Sequence, residues 1–175
     1  MRGADVCIDV KPKKPLSIVL LLTVAASLQL VHPFGTVKTP PSPAPLMAGA
    51  SAPPAVMAIL SGHCQNCHSG KTDWPPYSYI APMSWLIEKD VHDARDAMNL
   101  SRWNDYDSNR RRQILTELGS LVRNHVMPPR RYLLLHPEAR LSDSETDALY
   151  SWTQAERKRL RVPVLNTPLS IKIEK

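Results

Sequence analysis

The sequence predicts an all-α fold: one small helical domain behind an apolar N-terminal segment and a proline-rich stretch. Three observations predict it. From Ala55 onward the apolar residues recur at helical spacing with no competing strand alternation, serine and proline capping signals open those stretches, and residues 16–31 are almost wholly apolar and carry no charge. At 175 residues and 43% hydrophobic the chain is long enough for one domain with a core, while its 17 prolines keep much of it out of regular structure.

Residues 1–32 read as a signal or anchor segment. The run LSIVLLLTVAASLQLV follows Lys11, Lys13 and Lys14, and a basic flank before an apolar run means export with the N-terminus left in the cytoplasm. Small-residue cleavage patterns occur only inside the run, near Ala26, or well beyond it at Ala48-Gly49-Ala50. The expectation is therefore a transmembrane helix over residues 16–31 that is retained and holds the domain on the periplasmic side of the inner membrane. A soluble periplasmic form after cleavage is the alternative. Cys7 precedes the run, so it does not stand where a lipid-attachment cysteine would.

Residues 33–54 contain seven prolines with Ser, Ala and Gly between them, a composition that favours extended chain and reads as a tether. Residues 55–162 form the domain. Pro53 and Pro54 suit a helix start, after which Val56, Ile59, Leu60 and His63 share a face. A second helix is expected after a Ser84 cap with Ile87, Val91, Ala94 and Met98 as its stripe. A third, capped by Ser108, would bury Ile114, Leu115, Leu118, Leu121 and Val122. Ser142 with Glu145 forms a capping box for a last helix presenting Leu149 and Trp152. Residues 163–175 are a tail.

The formal charge of +6 divides evenly, +3 on residues 1–54 and +3 on the rest. There is no basic stripe with interleaved aromatics, which argues against nucleic acid as a partner. Nor is there a Ser/His/Asp set, a paired-carboxylate motif or a glycine-rich phosphate loop, so no catalytic residue is assigned.

The chemistry is carried by Cys64-Gln65-Asn66-Cys67-His68. Two thiols on one turn have the spacing to reach the two vinyl groups of a haem, and the next imidazole meets the iron as proximal ligand. One covalent haem c is the cofactor this implies. A structural zinc site would want a second ligand pair, and the only other cysteine is Cys7. A redox dithiol would want a βαβ unit, and a plain disulfide would give His68 no role.

The run CHSGKTDWPPYSYIAPMSWLIEKDV, then NLSRW, then MPPRRYLLLHPEARLS and a closing helix with Trp152, resembles the bacterial haem-binding domain family of small mono-haem c-type cytochromes. The resemblance covers roughly Ala55 to Leu160 and implies a small cytochrome c-like helical domain around one haem, with electron transfer to a redox partner protein. Such sequences often have glycine shortly before Met-Pro-Pro; this chain has Asn124-His125-Val126.

A second axial ligand is sought among Met83, Met98, Met127, His63, His92, His125 and His136. Met127 is the expected distal ligand, because it follows the third helix and Pro128 disfavours helical geometry there, which puts the thioether on a loop. His125 and Met83 are its rivals. Trp74, Tyr77 and Arg102 are candidates for the haem edge or a propionate, although ordinary loop packing accounts for the same residues. The second nitrogen of His68 is expected to donate to the carbonyl of Pro75 or Pro76. The expected function is a membrane-tethered one-electron carrier, not an enzyme. The alternatives are a haem peroxidase or gas sensor with an open distal position, or a haem module of a larger membrane complex.

Overall fold

A computed structural model describes residues 14–35 and 44–161, and every regular element among them is helical. Cys7, the middle of the proline-rich stretch and the tail lie outside the described residues.

The domain is built on an antiparallel pair, α5 (Ser108–Arg123) and α7 (Asp143–Arg159). Ile114, Leu115, Leu118 and Val122 of α5 are buried against Leu149 and Trp152 of α7, as the periodicity requires. The helices come close because Gly119 has no side chain: a Cβ there would stand 2.7 Å from Thr153 Oγ1. Beyond it Arg123 lies over the Tyr150 ring at 4.5 Å. The Ser142/Glu145 capping box forms as expected, with Ser142 N–H donating to Glu145 Oε2 at 2.8 Å. The cap of α5 is one residue earlier than expected: Asp107 accepts from Arg110 N–H at 2.7 Å, and Ser108 is the first helical residue. The carboxylate is the stronger acceptor for a free amide at a positive helix end.

At its other end α5 closes with a paired turn. Val126 N–H reaches back to Leu121 O at 2.9 Å and His125 N–H to Val122 O at 3.0 Å, which requires left-handed backbone at His125 (φ 52°). This is the position where glycine is favoured, and it gives the residue before Val126-Met127-Pro128 a structural role.

The first helical stretch of the domain runs from Pro54 to His68 in three parts. α2 (Pro54–Ile59) buries Val56 and Ile59, a π-helical turn spans Leu60–Cys64, and α3 (Gln65–His68) follows. A π turn takes an extra residue per turn and so rotates the side chains that follow it. Leu60 stays fully buried in the core while Cys64, Cys67 and His68 are only half-buried.

α4 (Met83–Ala97) begins directly after Pro82, and Ser84, expected to cap it, lies inside it and is buried, its N–H bonded to Ile80 O at 2.9 Å. Its buried face is Ser84, Glu88 and Val91, with Ile87 and Ala94 half-buried and Met98 in the core just past its end. A 3-10 segment, Leu100–Asp105, then places Leu100 and Trp103 in the core.

Two expectations about the N-terminal part are corrected. α1 (Lys14–Leu28) has 15 residues, a rise of about 22 Å, and among the described residues no helix is long and apolar enough to cross a membrane. The expected helix over 16–31 ends early, because the chain turns at Gln29 and Leu30 and its next residues bond to the domain. Ala81 N–H donates to Gln29 Oε1 (2.9 Å), Trp85 Nε1–H to Val31 O (2.7 Å), and His32 Nδ1 meets both oxygens of the fully buried Glu88 at 3.0 and 3.1 Å. The tether expected over 33–54 is likewise not free along its length. Met47 is 3% exposed and packs in the core, its N–H bonded to Leu100 O at 2.8 Å, while Ser51 accepts from Trp152 Nε1–H at 2.9 Å. Apolar residues between the prolines supply what composition alone conceals.

Met47→Ala is expected to cost about 2–4 kcal/mol, the cost of truncating a core methionine; a free tether would give no change in the denaturation midpoint. His125→Gly should stabilise the domain. A Cβ-bearing residue in left-handed backbone costs about 1–2 kcal/mol and glycine returns roughly half of that as chain entropy, so thermal unfolding should shift upward by a few degrees.

Candidate haem-attachment site

Cys64 closes the π turn and Cys67 lies one turn on, both unpaired thiols. Burial, with Cys67 alongside, pushes the Cys64 thiol up to about 12. Burial pushes Cys67 up to about 11, Asp90 adding to the effect and Arg95 opposing it. Both are therefore neutral thiols at ordinary pH. Among the described residues no group of three or more His, Cys, Asp or Glu is placed to hold a bare metal ion, so the zinc reading finds no ligand set.

His68 settles its own tautomer. Its Nδ1 stands 2.9 Å from Ala94 O and 3.1 Å from Met98 O. Both are carbonyls, so Nδ1 carries the proton and Nε2 presents its lone pair. Burial holds His68 below its ordinary value, with the bonds to Met98 and Ala94 pulling the other way. The expected acceptors, Pro75 and Pro76, are not the ones used. The chain turns away after His68, whereas the end of α4 packs on α3 and supplies Ala94 O, which also accepts from Met98 N–H at 2.9 Å, and Met98 O just past the helix.

The loop after His68 is organised around buried Ser69. Ser69 Oγ donates to Gln65 O at 2.7 Å and accepts from Lys71 N–H at 2.9 Å; Thr72 Oγ1 donates to Asn66 O at 2.7 Å. Arg95 reaches across from α4, with Nε–H on Ser69 O and an Nη on Thr72 Oγ1, both at 3.0 Å.

The segment that follows Met127 is fastened to the same turn at three points. Tyr132, on α6 (Arg130–Leu133), is hydrogen-bonded to the Asn66 side chain; His136, stacked on Tyr132 at 4.4 Å, bonds to the Tyr77 hydroxyl; and Ala139 O accepts from His63 Nδ1–H at 3.0 Å. His63 Nε2 meets Glu145 at 3.3 Å, and His136 Nδ1 meets Glu138 at 3.0 Å. Met127 is half-buried at the head of this segment, while His125 is exposed and Met83 is 39% exposed at the start of α4.

Of the other residues singled out from sequence, Tyr77 belongs to this network and Trp74 is half-buried in the loop leading to it. Arg102 instead turns to Asp105 at 2.7 Å on the surface. Its neighbour Trp103 is 1% exposed, and its indole N–H is buried with no acceptor among the described residues. Sequence reasoning did not find Arg95, Asn66 or Tyr132, which are ordinary surface residue types with no local signature. His63, one of the candidates for the second axial position, bonds instead to the segment behind Met127.

Residues 23–155 match a family described as a haem-binding domain. A cytochrome c peroxidase, Ccp, of Escherichia coli strain K12 is 26% identical over 97 residues, which are 54% of this chain and 21% of that protein. The chain thus spans about a fifth of the length of that relative. No solved structure matches the chain.

The thiols give a pH-dependent test. Their values lie above that of a free thiol, so in haem-free protein alkylation of Cys64 and Cys67 should be slow at pH 8 and accelerate only as pH rises toward 11, whereas an unfolded control reacts readily at pH 8–9. Equal rates for the two at pH 8 would contradict the burial of this turn.

Proposed function

Because the chain belongs to the haem-binding domain family, we propose that it is a c-type cytochrome carrying one covalent haem and passing single electrons, with thioethers at Cys64 and Cys67, His68 as proximal ligand and Met127 as distal ligand. The observation that carries this reading is the bonding of His68. Two backbone carbonyls hold its Nδ1 proton, so Nε2 is committed to an acceptor such as iron, and two unpaired thiols sit within the preceding turn. This donor set fits a covalent haem. When bound, haem supplies a one-electron iron couple shielded from solvent.

The protein's own residues orient and exclude. Ala94 and Met98 fix the imidazole plane and raise its basicity. Arg95 and Ser69 hold the loop behind it. Trp103 is the donor we assign to a haem carboxylate, since a buried N–H without an acceptor costs about 1–3 kcal/mol until one arrives. Met127 is preferred over His125 because the ties from Tyr132, His136 and Ala139 draw its segment to the attachment turn, while the backbone of His125 belongs to the turn that ends α5 and its side chain is exposed. Export to the periplasmic side of the inner membrane is part of the same proposal, supported by the basic residues before the apolar run.

A second reading, a haem peroxidase with an open distal position, draws on the likeness to the cytochrome c peroxidase of E. coli, which covers a fifth of that protein. One set of spectra separates the two. The carrier reading expects haem that resists acid extraction, a near-infrared sulfur-to-iron charge-transfer band in the ferric form, and no carbon monoxide binding when reduced. Met127→Ala should abolish the band and admit carbon monoxide, and His125→Gly should do neither. Carbon monoxide binding and peroxide turnover by the unaltered protein would favour the peroxidase, and a band that survives Met127→Ala would reject the distal assignment.

A further inference from the structure

α1 is a helix that the rest of the described chain does not bury. Residues 16–28 are all exposed, among them Leu16, Leu20, Leu21 and Leu22 at 61–71%, and the helix is apolar on every side. Such a helix requires an apolar surrounding. Its polar side chains are turned inward: Thr23 Oγ1 donates to Val19 O (2.9 Å), Ser27 Oγ to Thr23 O (2.8 Å) and Gln29 Nε2 to Ala25 O (3.3 Å). Those bonds satisfy the polar side chains within the helix, so that none of the three needs water.

The end of α1 does not lead off into a free linker. Gln29, Val31 and His32 are bonded to Ala81, Trp85 and Glu88, so the exit of α1 is fixed on the start of α4. Around that junction the domain shows its own exposed apolar residues: Tyr79 (57%), Ile80 (60%), Met83 (39%), Leu86 (42%) and, from the α1 side, Phe34 (42%). Lys89 stands over the Phe34 ring at 6.0 Å, on the edge of the patch. Aromatic rings at the mouth of an apolar helix match the interfacial zone of a bilayer, and Lys89 is held at their rim by its ion pair with Asp93.

We infer that residues 79–86 and Phe34 form a membrane-contact face that lies on the lipid surface where α1 enters it, so that the domain is held in one orientation. The inference rests on reading α1 as embedded in lipid, not on its crossing the bilayer, and its test relies on covalent haem occupying Cys64 and Cys67. Its consequence is geometric. Ala94, whose carbonyl holds His68, lies eleven residues along α4 from Met83, roughly 16 Å at the helical rise. α4 thus serves as a strut that sets the height of the attachment turn above the lipid.

The test uses the full-length haem-loaded protein with Cys7→Ser, reconstituted in phosphatidylethanolamine–phosphatidylglycerol vesicles, with a single spin label at Leu21→Cys, Ile80→Cys, Leu86→Cys or Ser151→Cys. Ser151 is exposed on α7, away from the patch. Relaxation by oxygen is compared with relaxation by a water-soluble nickel chelate. The expected result is lipid depth at Leu21, interfacial depth at Ile80 and Leu86, and full aqueous exposure at Ser151. Leu21 in lipid with Ile80 and Leu86 as aqueous as Ser151 would overturn the contact face and leave the membrane segment standing. Leu21 in water would overturn both. A second readout is Ile80→Asp with Leu86→Asp: the label at Ser151 should then tumble more freely on vesicles but not in detergent, and unchanged mobility on vesicles would also reject the fixed orientation.

Discussion

An imidazole that is to bind iron through one nitrogen must give the proton on the other to an acceptor, and much of this domain can be read as the means of supplying one. The acceptors are Ala94 O and Met98 O, at the end of a helix that starts only at Met83, where the loop following His68 ends. Neither carbonyl can be adjusted alone. Their position depends on where α4 begins, on the burial of Val91 and Met98, and on Arg95, which ties the last turns of α4 to the loop next to His68. The negative end of the helix dipole adds to the pull on the proton. Backbone acceptors have the further merit that no side-chain substitution removes them.

The proposed distal side rests on a different device. Three hydrogen bonds from separate partners, Asn66, Tyr77 and His63, hold the segment after Met127, and each contributes about 0.5–1.5 kcal/mol. They arise from the attachment helix and the loop behind it, so forming the site on one side helps to form it on the other. The π turn makes this compatible with a packed core: without its rotation, the face that buries Leu60 would continue into the cysteines.

How much of this was legible in the sequence differs by element. The faces of α5 and α7 and the Ser142 capping box could be read directly, because apolar periodicity and capping are local properties. The start of α4 was missed by two residues and the cap of α5 by one, since proline geometry at 82 and the stronger acceptor at Asp107 outweighed the nearby serines. The attachment triplet is local too, and its spacing is legible. The acceptors for His68 were not, because they are backbone atoms 26 and 30 residues away, and a backbone carbonyl leaves no mark in a sequence. His125 is an instructive middle case. The departure from glycine before Met-Pro-Pro was visible, but only the closing turn of α5 explains why glycine would be favoured there.

The largest difference lies in the N-terminal part, and it changes how the domain should be thought of. A 22-residue proline-rich chain at about 3.1 Å per residue would let the domain roam up to roughly 70 Å. Instead Met47 and Ser51 are built into the core region and Glu88, wholly buried in α4, is met by His32 from the far side of the proline-rich stretch. A buried carboxylate demands partners, since leaving one uncompensated costs several kcal/mol. Residue 32 therefore supplies a partner to the helix that positions His68. The segment that emerges from α1 is thus part of the structure that holds α4, and α4 is what orients the imidazole.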